Sequence, residues 1–429
     1  MKLTKLKIHK YRDVAPGDEL VFNPSLNLVL GENGTGRTML LDLISTVLTA
    51  DFSGLIREEF SLEYDLAFPG MEIHVSVRNE RHSTEARGGH DSREDSALLR
   101  LRAPKARAEL APLIEAVLQF EVPASRLVMR ADASGLACEL DGKSVYSQSM
   151  HWSVMDRTVW VLLFMTAQYL EPEVKDRLKE LLRRTFLLAP TRFDESLGMF
   201  ERMGNIQYGM ELREGEVFPL NLMAVPAWLP GLLRERVERK ALADVIAIRH
   251  DEVERSFLSK FVALAGFTAG TFRMELSDKR VQGGGRLEFS RFGFDFTRRD
   301  GSVLTQEHLG FGQKRLLSFL YYLDLNEDFV IVDELANGLH PRAVEACLRE
   351  IDDRQAFLTT QNPLLLEHVP LGSAEDVRSW LILCGAGLHH GHEQRVWSHP
   401  TEEAAAKLFR SFREGTTSLG ALLRAQGLW

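Results

Sequence analysis

Residues 31–38 read Gly-Glu-Asn-Gly-Thr-Gly-Arg-Thr, the stretch of this chain with the strongest structural signal. It follows an apolar run, Leu26 to Leu30, and opens into an amphipathic stretch, Met39 to Leu48, which is the strand–loop–helix setting of a phosphate-binding loop. Its glycines let the backbone curl so that successive N–H groups point at phosphate oxygens, and the helix beyond adds the positive end of its dipole. The octapeptide therefore predicts a nucleotide site.

Two side chains of this loop bear on catalysis. Thr38 stands where a hydroxyl would ligate Mg²⁺. Arg37 stands where lysine is the rule, and it supplies the positive charge as a planar fork instead of a compact ammonium. The two cations are not equivalent at a phosphate, so the loop predicts ATP binding and leaves the rate of hydrolysis open.

A second motif supplies two carboxylates. Phe329 to Val332 is a continuous apolar run that ends in Asp333 and Glu334. A buried parallel strand that delivers acidic residues at its C-terminal end is the Walker B arrangement. We expect Asp333 to hold Mg²⁺ through water and Glu334 to orient or deprotonate the attacking water.

Three further segments surround this pair in a fixed order. They are Leu309-Gly310-Phe311-Gly312-Gln313-Lys314-Arg315, which precedes a helical run from Leu316 to Leu323, then Ala336 to Pro341, and then Thr359-Thr360-Gln361-Asn362-Pro363 after the apolar Ala356 to Leu358. The first resembles the signature of ABC-type ATPases, Leu-Ser-Gly-Gly-Gln. The other two occupy the places of that family's D-loop and switch, with Gln361 where related sequences carry histidine.

Residues 1–50 and 300–370 together resemble the ATPase head of the SMC, RecF and OLD group, closest to the AAA-type members common in bacterial defence loci. The resemblance implies ATP and Mg²⁺ as ligands, held between two heads in a homodimer or a higher even-numbered homo-oligomer. The residues that it assigns to the nucleotide are Arg12, Asn33, Gly34, Thr35, Gly36, Arg37 and Thr38 of one head, with Leu309, Gly310, Gly312 and Gln313 of the other. It assigns catalysis to Glu334, Arg37 and Gln361, and the metal to Thr38 and Asp333.

Three residues depart from the family pattern at the γ-phosphate end of the site. Lysine is replaced by Arg37, the signature serine by Gly310, and the switch histidine by Gln361. Charge develops there in the transition state, so we expect slow hydrolysis. The rival expectation is a fully active site in which Arg37 and Lys314 or Arg315 supply the missing charge. Residues 186–195 fall where the family has its Q-loop but hold no glutamine.

Composition narrows the class of protein. The formal net charge of −9 argues against bulk attraction to nucleic acid or anionic membrane, although a local basic groove for DNA is compatible with it. Three widely spaced cysteines are typical of reduced thiols in a cytoplasmic protein. The N-terminus lacks the apolar core of a signal peptide, and the apolar stretch from Val159 to Tyr169 is too short to span a bilayer. No membrane association is expected.

The predicted fold is α/β, an ABC-type head built from the N- and C-terminal parts of the chain. Residues 1–97 and 266–429 would form the head, and 98–265 an inserted, mainly helical region with a small β element. Within the insertion, the pattern predicts a strand pair at 126–130 and 137–140 and a long helix over Leu232 to Ala265.

Three functions remain open from the sequence. The first is a regulatory ATPase of an anti-phage defence system that senses a trigger and controls a separate effector, a nuclease or a toxin. The second is a DNA repair or maintenance ATPase that clamps DNA. The third is a nucleotide-gated scaffold that scarcely hydrolyses ATP. The segment after Pro363 lacks an obvious cluster of acidic metal ligands, so no toprim nuclease domain is expected.

Overall fold

A computed structural model shows the architecture. Its described residues are 1–81, 110–149, 172, 175–176, 192–193, 203–219 and 225–425, apart from 18, 122–123, 133–134, 206, 214–215, 240–241, 281–284, 370, 390 and 415–418. Every helix within these residues is too short or too polar to cross a membrane.

A largely parallel sheet forms the centre of the fold. Its strands are β3 (Leu26–Gly31), β16 (Phe329–Val332), β17 (Gln355–Thr359), β18 (Leu381–His389) and β19 (His392–Ser398). They lie in the order β16-β17-β3-β18-β19, and only β19 runs antiparallel to its neighbour. The strands predicted from the apolar runs before the phosphate loop and before the carboxylates are confirmed. Since carboxyl ends of parallel strands share one edge, the ends of β3 and β16 come close, with β17 between them.

Helices cover both faces of this sheet. The described helices are α1 (Arg37–Thr49), α2 (Trp228–Glu238), α3 (Phe257–Ala265), α4 (Phe311–Leu325), α5 (Pro341–Ile351), α6 (Pro363–Glu367), α7 (Ala374–Trp380), α8 (Glu402–Arg413) and α9 (Leu419–Ala425). On β3, Val29 belongs to one hydrophobic core with α1, whereas Leu28 and Leu30 belong to a second core with α4. The loop helix and the signature helix therefore lie on opposite faces of the same sheet.

An eight-stranded antiparallel sheet extends from the N-terminal part. Its strands, in the order β2-β1-β4-β5-β6-β7-β8-β9, are β1 (Lys2–Tyr11), β2 (Leu20–Val21), β4 (Phe60–Phe68), β5 (Met71–Arg81), β6 (Leu110–Phe120), β7 (Ser125–Asp132), β8 (Gly135–Leu140) and β9 (Lys143–Gln148). The mainly helical character predicted from residue 98 onward is wrong for 110–148, which continues this sheet. The predicted boundary at 97–98 falls between β5 and β6, which pair along their whole length.

A second antiparallel sheet forms a lobe that shares its hydrophobic core with β3 and α4. Its strands are β10 (Tyr208–Arg213), β11 (Glu216–Pro219), β12 (Val245–Arg249), β13 (Ala269–Arg280), β14 (Gly285–Thr297) and β15 (Val303–Thr305). They lie in the order β11-β10-β14-β13-β12, and β15 pairs with β14. The predicted boundary at 265–266 therefore falls inside one sheet.

The long helix predicted over 232–265 is also wrong. After α2 the chain forms β12, which pairs with β13, and only then α3. In β12 the buried Ile246 and Ile248 alternate with exposed residues, a period of two that the neighbouring helical spacing conceals. The helical patterns at 152–170 and 173–187 lie almost wholly outside the described residues.

Candidate functional site

The phosphate-binding loop joins β3 to α1 and curls as its glycines predict. Gly34 and Gly36 have φ angles of 86° and 90°, a left-handed conformation that only glycine adopts without steric cost. A Cβ on Gly31 would lie 2.2 Å from the carbonyl oxygen of Cys384, so β18 packs directly against the start of the loop. Burial raises the pKa of the Cys384 thiol to about 12, which keeps this neighbour uncharged.

The two residues predicted to hold the metal are brought together. The Thr38 hydroxyl at the start of α1 donates to Oδ2 of Asp333 at 2.8 Å. The other carboxylate oxygen, Oδ1, accepts a short bond from the Thr359 hydroxyl, which fixes the orientation of the carboxylate. A hydroxyl and a carboxylate are hard oxygen donors of the kind that Mg²⁺ prefers, so this pair fits the predicted ion.

Arg37 lies against the carboxylate that would act on water. It is nearly buried, with 9% of its side chain exposed, and its Nη1 lies 3.4 Å from Oε1 of Glu334. The same guanidinium donates to the Thr360 carbonyl and to Oδ1 of Asn33, both at 3.2 Å. Gln361 joins the group through its backbone N–H, 2.8 Å from Oε2 of Glu334, and its side-chain amide, 2.9 Å from Asn33 Oδ1. The three predicted catalytic residues therefore form one polar cluster.

Arg315 positions the backbone of Glu334. Glu334 has a φ of 56°, unusual for a residue with a side chain. Its carbonyl accepts a hydrogen bond from Arg315 Nη2 at 2.8 Å. The guanidinium of Arg315 also lies 4.9 Å from the ring centroid of Phe193, a cation–π contact. Arg315 therefore contacts the backbone of Glu334 in its own chain. The rival expectation from the sequence was that Arg315 supplies positive charge at the γ-phosphate.

The C-terminal strand β19 holds the phosphate loop, which the sequence analysis missed. Arg395 Nε donates to the Gly34 carbonyl at 3.2 Å, and its Nη1 pairs with the Asp13 carboxylate. Trp397 Nε1 donates to the Thr35 carbonyl at 3.3 Å. These contacts join residues more than 360 positions apart, so no local pattern could have indicated them.

Arg192 lies on the metal side of the site. Its guanidinium pairs with Asp42 of α1, and Nη2 lies 3.8 Å from Oδ2 of Asp333. Its backbone forms a parallel bridge to Ile331 of β16. Arg192 belongs to the segment 186–195, which falls at the family's Q-loop position but has no glutamine. The position of this segment in the chain could have indicated that it lies at the site, whereas the residue type could not.

Arg12, which the resemblance assigns to the nucleotide, is engaged by a carboxylate. Its Nε and Nη2 donate to the two carboxylate oxygens of Glu58 at 2.7 and 2.9 Å. These bonds hold the pKa of Glu58 below its ordinary value and raise that of Arg12. The contact of Arg12 with ATP stays a prediction.

The signature segment caps the N-terminus of α4. Gly310 is the N-cap residue, and its backbone N–H donates to Oε1 of Gln313 at 3.1 Å. Leu309 is buried in the core beside it. Gly310 has no side chain to accept a bond from the first turn, so the Gln313 side chain completes the cap from inside the helix.

Phe311 projects from this cap and touches the D-loop. The ring is 66% exposed, yet a Cβ on Gly338 would lie 2.2 Å from it. A Cβ on Gly312 would likewise lie 2.7 Å from the Gly338 carbonyl oxygen. The signature and the D-loop therefore touch through glycines, with an aromatic ring facing solvent at their junction.

These features together have the arrangement expected of an ABC-type ATPase head within an α/β fold. The loop, the paired carboxylates and the switch segment meet at one edge of a single sheet, and the signature helix contacts the backbone of Glu334 through Arg315. Residues 229–367 match the sequence profile of the family described as "AAA domain, putative AbiEii toxin, Type IV TA system". The match spans the signature, the carboxylates and the switch glutamine.

Solved structures that match this chain include those of SMC and RecF proteins. An SMC head bound to the C-winged helix domain of ScpA is 13% identical, with 94% of this chain and 100% of that chain covered and a TM-score of 0.41. The SMC head domain from Thermotoga maritima is 13% identical over 92% of this chain and 98% of that chain, with a TM-score of 0.36. The recombination mediator RecF, in a structure described as RecF-ATPrS, is 10% identical over 92% and 97%, with a TM-score of 0.32. Comparison with curated proteins gave no match.

Proposed function

We propose that this protein is an ATP-binding regulator that dimerises on ATP and hydrolyses it slowly. The observation that carries the proposal is the position of Arg37, whose Nη1 lies 3.4 Å from Oε1 of Glu334. In loops with lysine, the cation serves the β- and γ-phosphates. Here the guanidinium is engaged by a carboxylate, a carbonyl and an amide oxygen, and the carboxylate also accepts a bond from Gln361. Arg37 and Glu334, the two side chains expected to take part in hydrolysis, therefore hold each other in place.

Binding and hydrolysis depend on different parts of this site. The backbone N–H groups of the curled loop and the N-terminus of α1 would hold the phosphates. Thr38 and Asp333 would hold Mg²⁺, which neutralises phosphate charge when it is bound. None of these binding groups depends on Arg37 leaving Glu334, so ATP binding can be strong while turnover is slow.

The exposed signature supports the proposed dimerisation. Phe311 presents a large apolar surface to solvent beside the N-terminus of α4. Exposed apolar residues beside a functional segment favour a protein contact. In the proposed homodimer, Leu309 to Gln313 of one copy would face the ATP held by Gly31 to Thr38 of the other, so ATP would close the pair.

Replacing Arg37 by lysine tests the proposal. In Arg37→Lys the shorter ammonium would leave Glu334 and serve the phosphates, so we expect the rate of phosphate release to rise by about tenfold. The measurement is steady-state phosphate release by the native protein, Arg37→Lys and Glu334→Gln. Glu334→Gln is the matched control, because it removes the carboxylate that both forms would use.

Two results would contradict the proposed mechanism. A native turnover near ~10 s⁻¹, typical of enzymes at large, would show that Arg37 restores full activity. An ATP-bound native protein with no measurable release, unchanged in Arg37→Lys, would instead support the nucleotide-gated scaffold.

We propose further that the regulator serves an anti-phage defence system and controls a separate nuclease or toxin in the cytoplasm. The matched family is described by a putative toxin of a type IV toxin–antitoxin system, which supports this setting. Cys347 and Cys384 are buried thiols, which agrees with a reducing compartment. Isolation of the native complex and identification of its partner is the test. Salt-dependent binding of the purified protein to DNA would favour the DNA-clamping alternative.

A further inference from the structure

Arg192 places a second guanidinium at the oxygen pair that would hold the metal. Its Nη2 lies 3.8 Å from Oδ2 of Asp333. The same Oδ2 accepts the hydrogen bond from Thr38. Asp42, which pairs with the other end of the guanidinium, lies one helical turn beyond Thr38 on α1. The charge of Arg192 is therefore held on the metal side of Asp333 by two carboxylates.

The backbone fixes this position. Arg192 bridges Ile331 on the free side of β16, and the next residue, Phe193, is fully buried with its ring centroid 5.3 Å from that of Phe319 on α4. Only 11% of the Arg192 side chain is exposed. A guanidinium anchored in this way loses little conformational freedom when it acts on a neighbour, unlike a surface arginine.

Electrostatics then sets what Arg192 does. A divalent cation held by Thr38 and Asp333 would lie at the same carboxylate as the guanidinium, and two cations at one carboxylate repel each other. Without the metal, the guanidinium would remain as a positive charge beside Asp42 on α1, the helix whose N-terminus would hold the phosphates. Arg192 therefore opposes the metal and favours the metal-free nucleotide.

We propose that Arg192 is a positioning residue that weakens the coupling between ATP and Mg²⁺ in this protein. Through its charge on Asp333, ATP binds with an affinity that depends little on the metal. The proposal deepens the proposed function and rests on it, since it requires that the loop binds ATP.

The experiment measures the dissociation constant for ATPγS by calorimetry, in excess MgCl₂ and in EDTA. The informative quantity is the dissociation constant in EDTA divided by the dissociation constant in MgCl₂. For the native protein we expect the ratio to stay within about tenfold, and for Arg192→Met to grow by about a further tenfold, a coupling of ordinary size for two ligands. Arg192→Lys keeps the charge and should restore a ratio near that of the native protein.

Arg395→Met is the matched control, because Arg395 contacts the loop at Gly34 but pairs with Asp13 instead of Asp333. It should change both constants by the same factor. Thermal unfolding shows that each variant is folded. An unchanged or smaller ratio in a folded Arg192→Met that still binds ATPγS would overturn the role of Arg192 alone. Absence of ATPγS binding by the native protein in both conditions would overturn the proposed function itself.

Discussion

The phosphate loop and the signature segment are the two halves of the inferred nucleotide site, and they differ in how they are held. The loop is fastened from within the chain, by Arg395 and Trp397 on β19 and by Gln361 on Asn33. The signature instead exposes Phe311 to solvent, with 66% of its surface accessible. Under the proposed function, this difference means that one chain would bind ATP, whereas closure of the site would require a second copy.

A substitution in the signature segment should have the largest effect, which is on ATP-dependent dimerisation. In Phe311→Asp, a charge replaces the exposed ring, so we expect ATP-dependent dimerisation to weaken by at least about 30-fold, the loss typical of a central interface residue. Asp is favoured in the first turn of a helix, so α4 should keep its stability. The measurement is the molar mass of the protein with ATPγS and MgCl₂ over a range of protein concentrations.

Val303→Asp is the control for this variant. Val303 is 65% exposed, almost as exposed as Phe311, but it lies on β15 of the lobe. We expect native dimerisation for the control and native ATPγS affinity of the monomer for both variants. Equal loss of dimer in the two variants would contradict a specific role for Phe311.

Removing a contact between β19 and the phosphate loop should have a smaller effect, which is on the affinity for ATPγS. In Trp397→Phe the ring can still pack against Tyr11, whose centroid lies 6.4 Å away, but the bond to the Thr35 carbonyl is lost. One hydrogen bond contributes about 1 kcal/mol, so we expect ATPγS affinity to fall about fivefold, by the same factor with and without MgCl₂. Calorimetry provides the constants.

Val396→Thr is the control on the same strand. Val396 lies between the two anchoring residues and its side chain points to the opposite face of β19. Its affinity for ATPγS should equal that of the native protein. If Trp397→Phe bound ATPγS as tightly as this control, the β19 contacts would be structural only.

The pair formed by Arg12 and Glu58 should have the smallest effect, on stability. The pKa of Glu58 is lowered from its ordinary 4.5 because it accepts the bonds from Arg12. The resulting stability is present above pH 4.5 and is lost as pH falls through the lowered value. Arg12→Ala should therefore reduce the free energy of unfolding at pH 7 by about 0.2–1 kcal/mol, the worth of an exposed ion pair, and by less in acid. Denaturant titrations at several pH values measure this, and an acid-independent difference would contradict it.

The parts of the site that were predictable are those encoded within one short segment. The glycines at 31, 34 and 36, and the apolar run before Asp333, each need only local spacing to identify them. The helix predicted over 232–265 failed because Leu, Ala and Val suit helix or strand according to what they pack against. In β6, Pro112 lies one residue before the part that pairs with β7, so its missing N–H leaves that ladder intact.

The amino-acid sequence was sufficient to predict that a phosphate loop, a pair of carboxylates and a signature helix occur in the order of an ABC-type head. The partners of the charged side chains became visible only in the folded chain: Arg37 with Glu334, Arg192 with Asp42 and Asp333, and Arg395 with Asp13. The physical reason is that a guanidinium has the same chemistry at every position. The carboxylate that it meets depends on which strands lie side by side in the sheet.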